Sequence, residues 1–220
     1  MIPEDECSVC RLFRDMLENA LKSRGIWRIL PSGNECSINL ASEGFRKFWG
    51  EWWGNEDIPQ LDIDILTILD EKASDNLGAP CLLGIEVKYF KKGDKRNFYE
   101  GLDQALAYLS IGLDKAALLH IFHPEYPEER IRIRAKTMER LVKYLKLPIA
   151  YVACKLLNNG KFRMYTEYYT PSNVTVQEVF HFLKQAQMNP LYSHPIHKGE
   201  MVKIRQTLTA CLQIPTIPPN

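Results

Sequence analysis

A chain of 220 residues, 45% hydrophobic and 25% charged, can bury a sizeable core in one domain or in a domain with an appendage, which excludes a disulfide-stapled miniprotein, a disordered tail and a coiled coil. Lys and Arg number 28 against 27 Asp and Glu, a net charge of +1, so nucleic acid or an anionic membrane would have to be met by a local patch. No apolar run reaches the roughly 18 residues of a membrane span, and the acidic start MIPEDE lacks the basic and apolar parts of a secretion signal. The expectation is a cytoplasmic protein, and in that reducing compartment six scattered cysteines, in a chain that can fold without bridges, read as thiols.

Phe13, Met16, Leu17, Ala20 and Leu21 recur at helical spacing over residues 10–24, with Gly25 placed to end the helix. IWRIL at 26–30 is β-rich and stops at the turn cluster Pro31-Ser32-Gly33-Asn34. A second helix over 42–53 carries Phe45, Phe48, Trp49, Trp52 and Trp53. Two extended runs, QLDIDILTIL at 60–69 and CLLGIEVKYF at 81–90, flank a polar stretch and predict a hairpin or a long meander turn.

Phe98, Leu102, Ala105, Leu106 and Leu109 mark a helix over 97–111, closed by Gly112 and followed by a buried-looking strand at 116–122. A basic amphipathic helix at 134–145 and a strand at 148–155 come next; RIRIR at 130–134 alternates with period two and is left open as an extended lead-in. The turn Asn158-Asn159-Gly160 returns the chain as a hairpin partner over 161–169. Helical patterns at 174–187 and, more weakly, 201–212 precede a proline-rich tail. The order describes an α/β protein with a mixed β-sheet flanked by helices over residues 1–170, and a small α-helical appendage over 171–220 packed on the same domain.

Chemistry concentrates between residues 59 and 108. Strand residues of like parity share a face, so Asp62 and Asp64 point one way, as do Glu86 and Lys88. A hairpin symmetric about Asp75 sets Asp64 opposite Glu86 and Asp62 opposite Lys88 at roughly 5 Å. Close carboxylates raise each other's pKa, a cost that a divalent cation removes. A neighbouring ammonium can orient water or offset charge on a transferring phosphate.

Pro59, the LDIDIL aspartates and Glu86-Val87-Lys88 resemble the PD-(D/E)xK, restriction-endonuclease-like nuclease superfamily, whose core of helix, three-stranded meander, helix and strand matches the order read from 10 to 122. Gln104-Ala-Leu-Ala-Tyr108 resembles the Gln-x-x-x-Tyr element of RecB-type members, although their upstream histidine motif is absent and Pro59 does not directly precede an aspartate. The resemblance implies a Mg²⁺-dependent deoxyribonuclease, with Mn²⁺ able to substitute, that leaves 5′-phosphate and 3′-hydroxyl ends. Asp64 and Glu86 would bind metal, with Asp62 the alternative to Asp64; Lys88 would position or activate water and Gln104 would support the site. Members often add an acid from the first helix, and Glu6, Asp15 and Glu18 are all available.

Lys91, Lys92, Lys95 and Arg96, just past the Glu-x-Lys strand, stand where a phosphate backbone would pass, and Tyr108 is a further substrate contact or a core residue. The basic residues from Arg134 to Lys146 could extend the track. DNA is the expected partner, and a symmetric homodimer would suit double-strand cutting. A nucleic-acid-binding or assembly module without turnover is the alternative. Cys7 and Cys10 with Cys36 lack a fourth ligand at metal-site spacing, which favours structural thiols.

Overall fold

The computed structural model describes residues 2–21, 26–41, 61–72, 80–158, 160–167 and 170–214. The aromatic helix expected over 42–53, Pro59, most of the polar turn before residue 80 and the end of the proline-rich tail lie outside the described residues. The first helix, α1 (Glu6–Leu21), precedes strands β1 (Ile26–Leu30), β2 (Ile38–Asn39), β3 (Asp62–Ile63), β4 (Ile65–Lys72) and β5 (Pro80–Phe90). Then come α2 (Leu102–Ser110), β6 (Lys115–Phe122), α3 (Glu128–Tyr144), β7 (Ile149–Leu156), β8 (Phe162–Tyr165), β9 (Ser172–Val174), α4 (Val176–Leu183), a 3-10 turn (Pro190–Ser193) and α5 (Lys198–Cys211).

Seven strands form one mixed sheet in the order β1-β4-β5-β6-β7-β8-β9, and β2 and β3 form a two-stranded ladder. β5, β6 and β7 run parallel, joined by crossovers through α2 and α3, while the strands flanking them are antiparallel. Every residue of β5 is buried, as expected of a central strand covered on both faces, so its sequence reads as an apolar run that Glu86 and Lys88 interrupt. On the odd-numbered face Leu83, Ile85 and Val87 pack with Val9, Phe13 and Leu17 of α1 and Val179, Phe180 and Leu183 of α4. On the even-numbered face Leu66, Leu82 and Leu118 pack with Ala105, Tyr108 and Leu109 of α2 and Met201, Ile204 and Leu208 of α5.

The C-terminal helix therefore belongs to the main core. Arg205, 2% exposed, reaches from α5 to Asp114 at the start of β6. Its Nε and Nη2 donate to the Asp114 carboxylate at 2.9 and 2.8 Å, and Nη2 also donates to the Pro80 carbonyl at 2.6 Å. α4 carries a full capping box, with Thr175 and Glu178 satisfying each other's backbone N–H groups.

Several element boundaries differ from the sequence reading. RIRIR is helical: Ile131, Ala135 and Met138 are buried at i, i+4 and i+7, whereas Ile133 is 60% exposed, so its period-two alternation is incidental. α2 begins five residues later than expected, because Gly101 takes a left-handed conformation (φ 79°) immediately before it. α1 begins a turn earlier, where the Asp5 carboxylate caps the Ser8 N–H at 2.7 Å. Cys7 is not a free thiol but is disulfide-bonded to Cys36, and Arg14 bonds the Gly33 and Glu35 carbonyls, so the segment after β1 is tied to α1 twice. Cys10 is buried as a thiol. Among the described residues no helix is long and apolar enough to cross a membrane.

Candidate active site

The β4–β5 ladder follows the symmetric register, with Ile65 opposite Ile85, Leu66 opposite Gly84 and Leu69 opposite Cys81. One step further the strands part at a bend on Asp64. Where a backbone pair would continue, Asp64 Oδ2 accepts the Val87 N–H at 2.8 Å. The Asp64 carboxylate is thereby held beside Glu86.

Glu86 is 1% exposed and Lys88 8%. Glu86 Oε1 lies 2.6 Å from Lys88 Nζ in a buried ion pair. The Tyr108 hydroxyl, from α2, donates to Glu86 Oε2, lies 3.0 Å from the Asp62 carbonyl oxygen and accepts the Asp64 N–H at 3.3 Å. Two glycines make room for these side chains. A Cβ on Gly84 would stand 2.8 Å from the Tyr108 ring, and one on Gly101 2.9 Å from Lys88 Cε.

Glu6, in the first turn of α1, completes the cluster. Its Oε1 accepts from Lys88 Nζ at 3.2 Å, and its Oε2 accepts from the Tyr89 N–H and from Arg96 Nη1, each at 3.1 Å. Of the three acids available near the first helix, Glu6, Asp15 and Glu18, it is Glu6 that reaches Lys88; a helix starting at residue 10 would place Glu6 ahead of it, and the Asp5 cap is the sequence signal that brings it in.

Burial raises the Asp64 pKa, with the Glu86 charge second and the Val87 N–H opposing, to about 8. Burial also raises Glu86, against the pull of Lys88 and the Tyr108 hydroxyl. For Lys88, burial disfavours the ammonium, but Glu86 and Glu6 outweigh it and hold the pKa above its ordinary value. Lys88 is thus a fixed cation, suited to donating hydrogen bonds rather than to removing a proton.

These shifts set a pH dependence. A carboxyl whose folded pKa is raised stabilises the fold below its unfolded pKa, and that contribution is lost as pH climbs through the folded value. With Asp64 moving from an ordinary carboxylate value to about 8, the metal-free protein should lose melting temperature between roughly pH 4 and 8, and Asp64→Asn should flatten that slope. Melts in EDTA across this range check it. Parallel curves for the two proteins would mean that Asp64 ionises without cost.

The other expected site residues are distributed more widely. Asp62 leaves the cluster: it pairs with Asn39 in the two-stranded ladder, is exposed, and accepts a hydrogen bond from Ser37 at 3.1 Å. The β4 bend turns it away. Gln104 is half-buried on α2, one turn before Tyr108, and none of the hydrogen bonds around Glu86 includes it. Tyr108 is fully buried behind Glu86 instead of facing solvent.

Lys91, Lys92 and Lys95 are exposed. Arg96 folds back onto Glu6, Asp94 and the Tyr89 carbonyl and lies 4.8 Å over the Phe90 ring, which makes it a brace for the end of β5. The basic face of α3 is likewise partly engaged, with Arg134 bonded to the Arg96 carbonyl and Arg140 paired to Glu167. His120 is fully buried, between the Glu100 carbonyl and the Tyr151 hydroxyl, and burial depresses its pKa to about 3.

Among the described residues no group of three or more His, Cys, Asp and Glu side chains is arranged as a metal cage. No family model, no curated protein and no solved structure matches the chain. The class of protein established at this point is a mixed α/β protein whose seven-stranded sheet is flanked by helices.

Proposed function

We propose that the chain is a divalent-cation-dependent deoxyribonuclease with a restriction-endonuclease-like core, in which Asp64, Glu86 and Lys88 carry the chemistry. One observation supports this reading above the rest: the buried Glu86 carboxylate stands 2.6 Å from a fixed ammonium and beside a second, half-buried carboxylate, Asp64. Burying two carboxylates together costs stability, and packing offers no return for it.

The donor set fits a hard cation such as Mg²⁺, which uses one or two carboxylates and keeps several waters; Mn²⁺ accepts the same ligands. Asp64 and Glu86 would hold the ion, which when bound supplies charge neutralisation for a phosphodiester and a water of lowered pKa. The chain's own groups do the rest. Tyr108 fixes the Glu86 carboxylate through Oε2, and Oε1 faces the Lys88 ammonium. Lys88, held between Glu86 and Glu6, would donate to a phosphate oxygen or to the attacking water, where its charge offsets the charge developing in the transition state. Glu6 keeps Lys88 and Arg96 apart and in place.

The test is incubation of linear and supercoiled DNA with Mg²⁺ and with EDTA. Cleavage should require the cation, Asp64→Asn should lower it by about 100-fold or more, and Asp62→Asn should leave it within about twofold, since Asp62 faces Ser37 and solvent. Equal losses in the two variants would reject the assignment of Asp64. DNA binding without cleavage by the wild-type chain would favour a binding module.

A further inference from the structure

Past the carboxyl end of β5 lies an open cleft of about 470 Å³, lined by Ile2, Pro3, Glu4, Lys91, Lys92 and His123. Its position follows from the topology. β5 and β6 are parallel, and Lys91 and Lys92 follow the carboxyl end of β5 as His123 follows that of β6. In α/β sheets ligands bind outside the carboxyl ends of the strands. The two ends are held together by the His123 N–H, which donates to the Phe90 carbonyl at 2.9 Å. Residues 2–4 form another wall, anchored by the Tyr89 hydroxyl, which donates to the Pro3 carbonyl at 3.1 Å.

The chemistry of this cleft is that of an anion site with an apolar side. Lys91 makes no ion pair with a described residue, and Lys92 reaches Glu125 only at 3.6 Å between two exposed side chains. Nδ1 of His123 accepts the Glu125 N–H at 3.1 Å, which leaves Nε2 as the protonated, donating nitrogen of the neutral ring. Glu4 is the single carboxylate among the lining residues. Pro3 and the exposed Ile2 add apolar surface of the kind a nucleoside covers. Lys91 lies three residues beyond Lys88, at most about 11 Å of chain, a span of about three nucleotides at 3.4 Å of rise each.

We infer that this cleft seats a nucleotide of the strand being cut, one to three positions from the scissile phosphate, with its phosphate on Lys91 and Lys92 and its sugar or base against Ile2, Pro3 and the His123 ring. The inference rests on the nuclease reading for its relation to a scissile bond, though not for the binding itself.

Thymidine 3′,5′-bisphosphate titrated into the full chain without divalent cation, followed by amide chemical shifts, tests it. Saturable shifts at Lys91, Lys92 and His123 are expected, weakened at least tenfold in the Lys91→Ala/Lys92→Ala variant, whose two exposed side chains bear no core contacts. Absence of saturable binding, or equal binding by the variant, would overturn the cleft. Inorganic phosphate competing as well as the bisphosphate would overturn the nucleotide assignment and leave a plain anion site. Binding by a wild-type chain that cuts no DNA with Mg²⁺ would overturn the link to a scissile bond, whereas cutting without bisphosphate binding would overturn the cleft alone.

Discussion

Glu86→Gln and Lys88→Met should each lower Mg²⁺-dependent DNA cleavage by on the order of 1000-fold or more, with native circular dichroism retained. Both replacements keep the side-chain volume in a strand that is buried throughout, so neither opens a cavity. Glu86→Gln removes one of two carboxylates that can hold the cation while leaving Lys88 paired to Glu6 at 3.2 Å. Lys88→Met removes the ammonium and leaves Glu86 buried without its ion pair, so Glu86 should protonate and the variant should also lose cation affinity.

A calorimetric titration with Mn²⁺ separates the two effects. Glu86→Gln should abolish binding, whereas Lys88→Met should weaken it and recover some affinity at higher pH, where Glu86 ionises. Cleavage within about tenfold of wild type in either variant would remove that residue from the chemistry. The double variant should be no worse than Glu86→Gln, since groups that act as one unit are not additive.

The largest stability effect is expected far from this site. Arg205→Met should cost about 3–5 kcal/mol, read as a lowered urea midpoint, because it leaves the Asp114 carboxylate, 0% exposed, without its cation. Part of that loss should return in Arg205→Met/Asp114→Asn, since an amide can still accept the Leu82 N–H that Asp114 now receives at 2.7 Å. The transition should remain single, because Met201, Ile204 and Leu208 of α5 lie in the same core as Leu82 and Leu118. A change below about 1 kcal/mol, or a separate early transition for the C-terminal helix, would show that the pair does not join α5 to the sheet.

Two pieces of the site were legible in the sequence. The register of β4 on β5 follows from the symmetry of two apolar runs about a polar turn, and Ile65 opposite Ile85 agrees with it. Alternation along β5 sets Glu86 and Lys88 on one face, whereas Tyr108, whose helical angle displaces it from the Phe98, Leu102, Ala105 and Leu109 stripe, is packed in the core against the sheet. The two legible pieces depend on neighbours a few residues apart, and the pleat converts such spacing directly into direction.

Tertiary structure decided the rest. Asp62 and Asp64 share parity, yet a bend at Asp64 leaves one paired to Asn39 in the two-stranded ladder and holds the other on the Val87 N–H. Glu6 meets Lys88 across 82 residues, and Arg205 meets Asp114 across 91. Arg96, one of four cations in a single loop, turns inward because Glu6, Asp94 and the Tyr89 carbonyl converge on it. Hydrophobic periodicity records which face of an element is buried but not which polar group awaits it there. A buried charge must find partners wherever the packed chain supplies them, so these contacts exist only once α1, β5 and α5 have been brought together.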